Sequence, residues 1–258
     1  MSLYIDVFNG ISYEELFPLI KKAGFEGFFS GEIYADCPGL LCEFKKLAEE
    51  YDLRQETSHS TIPGCRSVWG EDEEAAASYI ALLKRNIDHA KGTDIPILVI
   101  HAEIDPAGDP CLERGIERLR EVVRYAGEMG IRIAFENINS PEFLYKTLEA
   151  FPEEHVGFCY DCGHECCHTF GEEFLPKIGH RLFCTHIHDN DNKRDLHRIP
   201  FDGEIDFERV AAQLKNCDCK NITLELTYND FYAEKYTKEE FIEKSYAAAA
   251  KLEAMIRG

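Results

Sequence analysis

The chain has 258 residues, of which 45% are hydrophobic and 29% charged, and this composition predicts a globular protein with a sizeable core. Its formal net charge is −20, from 28 basic and 48 acidic residues, which argues against nucleic acid as a partner because nucleic-acid-binding proteins usually present a basic face. No stretch approaches the ~18 apolar residues of a membrane span, and the cysteines are odd in number and irregularly spaced without an export signal. We therefore expect a cytoplasmic protein with reduced thiols and no membrane partner.

Short β-branched or aromatic runs alternate with longer segments of helical periodicity along the whole chain. The predicted strands are Leu3–Phe8, Phe25–Ser30, Arg54–Ser58, Ile97–Ile100, Arg132–Phe135, Val156–Tyr160, Phe183–His186 and Asn221–Leu226. One predicted helix has Asp109 as N-cap, Pro110 at its first position and Gly130 as C-terminal cap. The other predicted helices are Tyr13–Ala23, Leu40–Tyr51, Glu73–Lys91, Pro141–Ala150, Glu172–Ile178, Phe207–Asn216 and Lys238–Ile256.

Eight such β–α units can form either a closed barrel or an open doubly wound sheet. The first strand is not followed by a G-x-G-x-x-G phosphate loop, and polar residues stand at many strand ends rather than at one switch point. The length matches the ~250 residues of a (β/α)₈ barrel, and no linker divides the chain. We predict a single-domain (β/α)₈ TIM barrel over residues 1–258.

Residues that can bind a metal or move a proton stand near the ends of successive predicted strands. They are His59, His101, Glu136, Asp161 with His164, His186 and Glu225, with Glu32 as a weaker member. In a closed parallel barrel these strand ends converge at one mouth, which predicts an active site there. Taken singly, each residue has a structural alternative, such as an ion pair or a helix cap for Glu136.

Four of these residues form an oxygen-rich set with one imidazole: Glu136, Asp161, His186 and Glu225. This ligand mix suits one divalent ion, Mn²⁺, Mg²⁺ or Co²⁺, and also Zn²⁺ when more imidazoles join. Two carboxylates facing each other across a metal are suited to abstracting a proton beside a carbonyl, while the metal stabilises the enediolate oxygens.

The series FENI, YDCGH, HIHDND, D-x-H and LEL resembles the xylose-isomerase-like TIM-barrel superfamily of sugar isomerases and epimerases, most clearly over strands three to eight. The resemblance implies that Glu136, Asp161, His186 and Glu225 hold one metal. It also implies that Glu136 and Glu225 are the acid/base pair and that His164 binds a substrate hydroxyl or carbonyl. The expected activity is isomerisation or epimerisation of a small sugar, sugar phosphate or cyclitol.

The same superfamily includes the three-zinc apurinic-site endonucleases, and this is the alternative function. His59, His101, Asp195 and His197 match the positions that complete the trinuclear zinc cluster there, and His164 is either substrate-binding or a further ligand. The alternative is therefore phosphodiester hydrolysis with up to three zinc ions, although the net charge of −20 disfavours it. A non-catalytic sugar-binding barrel is a third hypothesis.

Two further residues are candidates for substrate binding. Trp69, the only tryptophan, would be either an apolar lid over the sugar or a surface anchor. Arg194 lies two residues after Asn192, the position where the ketose 3-epimerases favour arginine.

The remaining signals are interpreted structurally. The spacing of the four clustered cysteines suits neither a zinc knuckle nor a common iron–sulfur cluster, so buried thiols are expected: Cys159, Cys162, Cys166 and Cys167. The alanine-rich C-terminal segment predicts a packing helix, with a homo-oligomer contact as the alternative.

Overall fold

Eight parallel strands form one continuous sheet in the computed structural model, which describes residues 1–7, 9–31, 37–105, 107–219 and 221–258. The sheet order is β7-β6-β5-β4-β3-β2-β1-β8. The strands are β1 Ser2–Val7, β2 Gly27–Ser30, β3 Arg54–His59, β4 Ile97–His101, β5 Arg132–Glu136, β6 Val156–Asp161, β7 Leu182–His186 and β8 Asn221–Leu226. A parallel bridge between Ile187 and Leu224 joins the two outer strands, with the Ile187 N–H donating to the Thr223 carbonyl over 2.8 Å. The predicted (β/α)₈ TIM barrel is confirmed.

Helices alternate with the strands, as the periodicity predicts. They are α1 Tyr13–Ala23, α2 Pro38–Glu50, α3 Glu73–Gly92, α4 Leu112–Met129, α5 Pro141–Ala150, α6 Cys162–Cys167, α7 Leu175–Ile178, α8 Phe207–Leu214, α9 Asp230–Ala233 and α10 Lys238–Arg257. Among the described residues, no helix combines the length and the apolar character needed to cross a membrane.

The predicted start of α4 is wrong, whereas its end is right. The helix begins at Leu112 with Cys111 as N-cap, and the Cys111 N–H donates to the Trp69 carbonyl over 2.8 Å. This contact with a distant loop holds the segment around Asp109 out of the helix. Gly130 closes the helix in the left-handed conformation, with φ 71°.

Each of strands β3 to β6 runs one residue further than predicted, and the added residue is a predicted site residue: His59, His101, Glu136 and Asp161. The register pairs His101 with Glu136, and Asp161 with His186, on neighbouring strands. These side chains therefore stand at one level, at the carboxyl end of the barrel.

The apolar core has two parts, separated by the sheet. The larger part fills the space between the strands and the helices, and a small cluster fills the inside of the barrel: Ile97, Val99, Ala134, Cys159 and Cys184. Cys159 and Cys184 are register partners on β6 and β7 and are both buried as free thiols. Of the four clustered cysteines, Cys159 and Cys162 are buried as expected, whereas Cys166 and Cys167 are only partly buried, so the expectation was wrong for the second pair.

Candidate metal centre

Four donors converge at the barrel mouth and are here called the inner group: Glu136, Asp161, His186 and Glu225. All four are buried, and one ligand atom from each lies within 4.8 Å of the others. Ligand atoms bound at about 2.0–2.2 Å on opposite sides of a divalent ion would be about 4–4.4 Å apart. Inward movements of a few tenths of an ångström would therefore let these residues hold one cation.

Glu136 is the hub of the mouth, and its two oxygens face different imidazoles. Oε1 lies 3.0 Å from His186 Nδ1 and 3.5 Å from His164 Nδ1. Oε2 lies 3.0 Å from His59 Nε2 and 3.3 Å from His101 Nε2. We call His59 and His101 the side pair. One carboxylate thus serves both the inner group and the side pair, a geometry suited to bridging two cations.

A second hub stands on the loop that follows β7. Asp195 Oδ2 lies 2.9 Å from His197 Nε2 and 3.3 Å from His164 Nε2. We call His164, Asp195 and His197 the outer group. His168 is exposed at the C-terminal end of α6, and with His164 and Asp195 it forms a set of donors close enough to hold a cation.

The buried imidazoles and carboxylates of the mouth stabilise each other's charged forms. Burial alone lowers the pKa of the His186 imidazole, but the Glu225 and Glu136 carboxylates raise it to about 10. Burial likewise opposes protonation of His197, while Asp195 and Glu225 raise its pKa to about 9. Burial favours a neutral Glu136, yet the surrounding imidazoles hold its pKa well below the ordinary value. A bound cation would take the place of the imidazole protons, since ligating histidines are neutral.

Asp161 is held by its neighbours as well as by its place on β6. The Asn137 side-chain amide donates to the Asp161 carbonyl over 2.7 Å, and the Asp161 N–H donates back to Asn137 Oδ1 over 2.8 Å. Asp161 is also the N-cap of α6, because its Oδ1 accepts the His164 N–H over 2.6 Å. The carboxylate is therefore preorganised, and helix capping and cation binding are compatible roles for it.

One buried carboxyl at the barrel mouth was not among the site residues predicted from the sequence. Asp6 on β1 is the register partner of Glu225, and its Oδ1 accepts the Tyr13 hydroxyl over 2.8 Å. Its Oδ2 is buried and has no hydrogen-bond partner among the described residues. Burial raises the pKa of Asp6 to about 7. The available signal was a carboxylate near the end of an apolar strand, the same signal that identified Glu136.

The interpretation of Trp69 as a lid or surface anchor is wrong. Its ring is 1% exposed and packs edge-on against Phe143, with ring centroids 5.0 Å apart. A Cβ on Gly115 would stand 1.9 Å from Trp69 Cε3, so α4 presents a glycine to this ring. Trp69 thus joins α4 and α5 to the loop after β3 and is almost fully buried.

Arg194, predicted to bind substrate, contacts a carboxylate on its own loop. The Arg194 guanidinium donates to Asp191 Oδ2 over 2.6 Å and its side chain is 69% exposed, so it is occupied by a local ion pair. Glu32 lies outside the described residues.

Comparison with known proteins agrees with this architecture. A family described as "Xylose isomerase-like TIM barrel" matches residues 17–244. Uncharacterized protein y4fM of Sinorhizobium fredii is 27% identical over 193 residues, which cover 69% of this chain and 61% of that relative. The crystal structure of a D-tagatose 3-epimerase-like protein superposes with a TM-score of 0.79 at 18% identity, covering 100% and 98% of the two chains. The IolI protein with a bound zinc atom superposes with a TM-score of 0.78 at 17% identity, covering 99% and 98%.

Proposed function

This chain belongs to the xylose isomerase-like TIM-barrel family, and on that premise we propose that it is a divalent-metal-dependent isomerase or epimerase of a small sugar, sugar phosphate or cyclitol. The observation that carries the proposal is the pair of carboxylates beside one imidazole. Glu136 Oε1 lies 3.0 Å, and Glu225 Oε2 3.7 Å, from His186 Nδ1. The structural neighbour named as an epimerase-like protein supports the reaction class, and the zinc atom in IolI supports a metal.

Glu136 and Glu225 have different surroundings, which is consistent with different roles in proton transfer. The Glu225 side chain is 11% exposed, whereas Glu136 is 1% exposed and enclosed by imidazoles. Glu225 is thus the better placed to take the proton from a carbon beside the carbonyl, with Glu136 as its partner for proton return. The cation would supply positive charge for the enediolate oxygens.

The outer group has a role in the same reaction. His164 and His197 both face the Asp195 carboxylate at one side of the mouth. Imidazoles paired with a carboxylate are suited to holding substrate hydroxyls or a carbonyl oxygen in a fixed orientation. Binding of this kind would orient the sugar carbon toward Glu225.

A second candidate is phosphodiester hydrolysis with up to three zinc ions. It is favoured by the arrangement of the imidazoles, because the side pair and the inner group share the Glu136 carboxylate, and His164 and His197 both face the Asp195 carboxylate. The net charge of −20 makes a polyanionic duplex a poor partner, which is why this candidate ranks second.

Solvent deuterium exchange separates the two candidates. The protein, loaded with Mn²⁺, Co²⁺ or Zn²⁺, is incubated in D₂O with ketohexoses, their phosphates and inososes, and proton NMR follows the carbons beside the carbonyl. We expect exchange with at least one compound, and its loss in Glu225→Gln. Glu56→Gln changes a buried carboxyl that lies three residues before His59 on β3; it is the matched control and should exchange normally. Absence of exchange together with incision of an abasic duplex would replace the proposal with the hydrolase.

Metal analysis of the native protein completes the test. One divalent ion per chain agrees with sugar chemistry, and three zinc ions agree with the hydrolase. A protein that binds no divalent ion and exchanges no proton would contradict both enzymatic candidates and leave a sugar-binding barrel.

A further inference from the structure

We propose that His188 is a positioning residue that holds the inner and outer groups together, so that cation binding at the two groups depends on one shared imidazole. The inference rests on the proposed metal dependence of the inner group, and it adds a second cation at the outer group to the single ion that the isomerase or epimerase proposal requires. It concerns a residue that lies two positions beyond His186, past the end of β7, and that is fully buried.

The contacts of His188 reach a carboxylate of each group. His188 Nε2 lies 3.2 Å from both Oδ1 and Oδ2 of Asp161, an inner-group residue. The same Nε2 lies 3.5 Å from Oδ1 of Asp195, the outer-group hub. One nitrogen therefore stands between a buried carboxylate, Asp161, and a partly exposed one, Asp195, which would otherwise repel each other across the gap.

The ring has little freedom to leave this position. Its face stacks on the His197 ring, with centroids 4.1 Å apart and an interplanar angle of 23°. On α6, a Cβ at Gly163 would lie 1.9 Å from His188 Cε1. Glycine inside a helix is less favourable than alanine. The His188 imidazole occupies the space that a side chain at Gly163 would fill, so the ring can take this position only because residue 163 is glycine.

The two oxygens of Asp161 have different partners, and this explains why the contact with His188 affects cation binding. Oδ1 caps α6 by accepting the His164 N–H over 2.6 Å, so the orientation of the carboxylate about this bond is set by its remaining partners. His188 Nε2 is such a partner. Asp195 Oδ1 has no hydrogen-bond partner among the described residues and faces the same nitrogen. Removing the donor at this point would let the Asp161 carboxylate turn and would leave no imidazole between Asp161 and Asp195.

The test compares two amides at one position. Glutamine can place its side-chain N–H where His188 Nε2 stands, whereas the shorter asparagine cannot reach Asp161 or Asp195. The full-length His188→Gln, His188→Asn and wild-type proteins are titrated with Co²⁺, followed by visible absorption, and with Zn²⁺ against a chromophoric chelator. Asp195→Asn serves as the variant that alters the outer group alone, and His180→Leu, an exposed site elsewhere, is the surface control.

We expect the wild type to bind at least two Co²⁺ ions and His188→Asn to weaken both binding steps by about 10–100-fold, the usual effect of losing an outer-shell partner. His188→Gln should stay within about threefold of the wild type. Asp195→Asn should weaken only one step. Equal affinities in all His188 variants, or a His188→Asn titration that matches Asp195→Asn, would overturn the inference.

The stoichiometry separates this inference from the proposed function. If the wild type binds a single ion and still exchanges substrate protons, the isomerase or epimerase proposal stands and the coupling of two cation-binding groups is wrong. Loss of circular dichroism in both amide variants would show that His188 acts through folding alone, which also overturns the inference.

Discussion

Two buried carboxylates inside the same barrel, Glu136 at the mouth and Glu56 lower on β3, have opposite surroundings. Glu136 faces four imidazoles, and they hold its pKa well below the ordinary value. Glu56 accepts the Thr223 hydroxyl and, over 2.6 Å, the Asn221 amide, and burial raises its pKa. The first carboxylate is ionised among cations, whereas the second is shifted toward the neutral form among neutral donors.

The contrast between Glu136 and Glu56 indicates which surroundings allow a buried carboxylate to bind a cation. Glu56 stands three residues before His59 on β3, about 10 Å deeper in the barrel at ~3.3 Å per residue. Burial alone disfavours a charge, so the depth of a carboxylate does not predict a cation site. Convergent imidazoles do, because they favour the ionised carboxylate and become neutral ligands when a metal replaces their protons.

The largest expected difference between the two carboxylates is in cation binding and turnover. Glu136→Gln removes the charge shared by the inner group and the side pair, and it should lower turnover by about 10³-fold, or about 4 kcal/mol. Glu56→Gln should keep both cation and turnover. Elemental analysis and the deuterium-exchange rate measure the two effects. Normal metal content in Glu136→Gln would break the comparison.

Removing the cation should lower the free energy of unfolding, because the bonds between the cation and its ligands at the barrel mouth are lost. A ligand that binds only the folded state stabilises it by about 4 kcal/mol at ~1,000 times its dissociation constant. We expect a chelator to lower the free energy of unfolding by about this amount in the wild type and in Glu56→Gln, as measured by urea unfolding. The decrease should be absent from Glu136→Gln. An equal response in all three proteins would locate the cation elsewhere.

The lower carboxylate should matter for stability and not for binding. Glu56→Ala leaves the Thr223 hydroxyl and the Asn221 amide without their acceptor and opens a cavity, for a loss of about 2–3 kcal/mol. Glu56→Gln keeps the side chain's shape and should lose less. Urea unfolding of chelator-treated proteins gives the loss, and zinc affinity should be unchanged. A large drop in zinc affinity would show that the two regions are not independent.

Asp6 tests the effect of burial at the mouth itself. Its pKa is raised from 3.8 to about 7, so the folded protein holds this proton more tightly than the unfolded chain does. Its contribution to stability is therefore complete below about pH 3.8 and is lost as the pH rises through 7.

Asp6→Asn should remove this dependence, because the amide remains neutral while its oxygen can still accept the Tyr13 hydroxyl. Relative to the wild type, we expect a gain in the free energy of unfolding at both pH values, larger at pH 8 than at pH 5 by about 2–3 kcal/mol, in urea unfolding with chelator present. A gain that is the same at both pH values would mean that the Asp6 carboxyl does not titrate in this range.

Local patterns were sufficient for much of the fold. The helices Tyr13–Ala23 and Pro141–Ala150 have the predicted bounds, because their ends are marked by residues in the adjoining turns: Gly24 is left-handed with φ 110°, and Pro141 occupies the first helical turn. The start of α4 was missed for the opposite reason. The Asp109–Pro110 signature is local, but the Cys111–Trp69 hydrogen bond that sets the boundary spans more than 40 residues.

The sequence by itself determined the order of the eight strands and of the longer helices, the parallel barrel and the four residues of the inner group, but not the short helices α6 and α9. It could do so because periodicity and caps act over a few residues, and parallel strand ends must meet at one edge of the barrel. Only the tertiary structure decided that Glu136 faces imidazoles on both sides, that Trp69 is buried, and that His188 stands between Asp161 and Asp195. These contacts depend on strand register and barrel closure, which place residues far apart in the chain within a few ångströms.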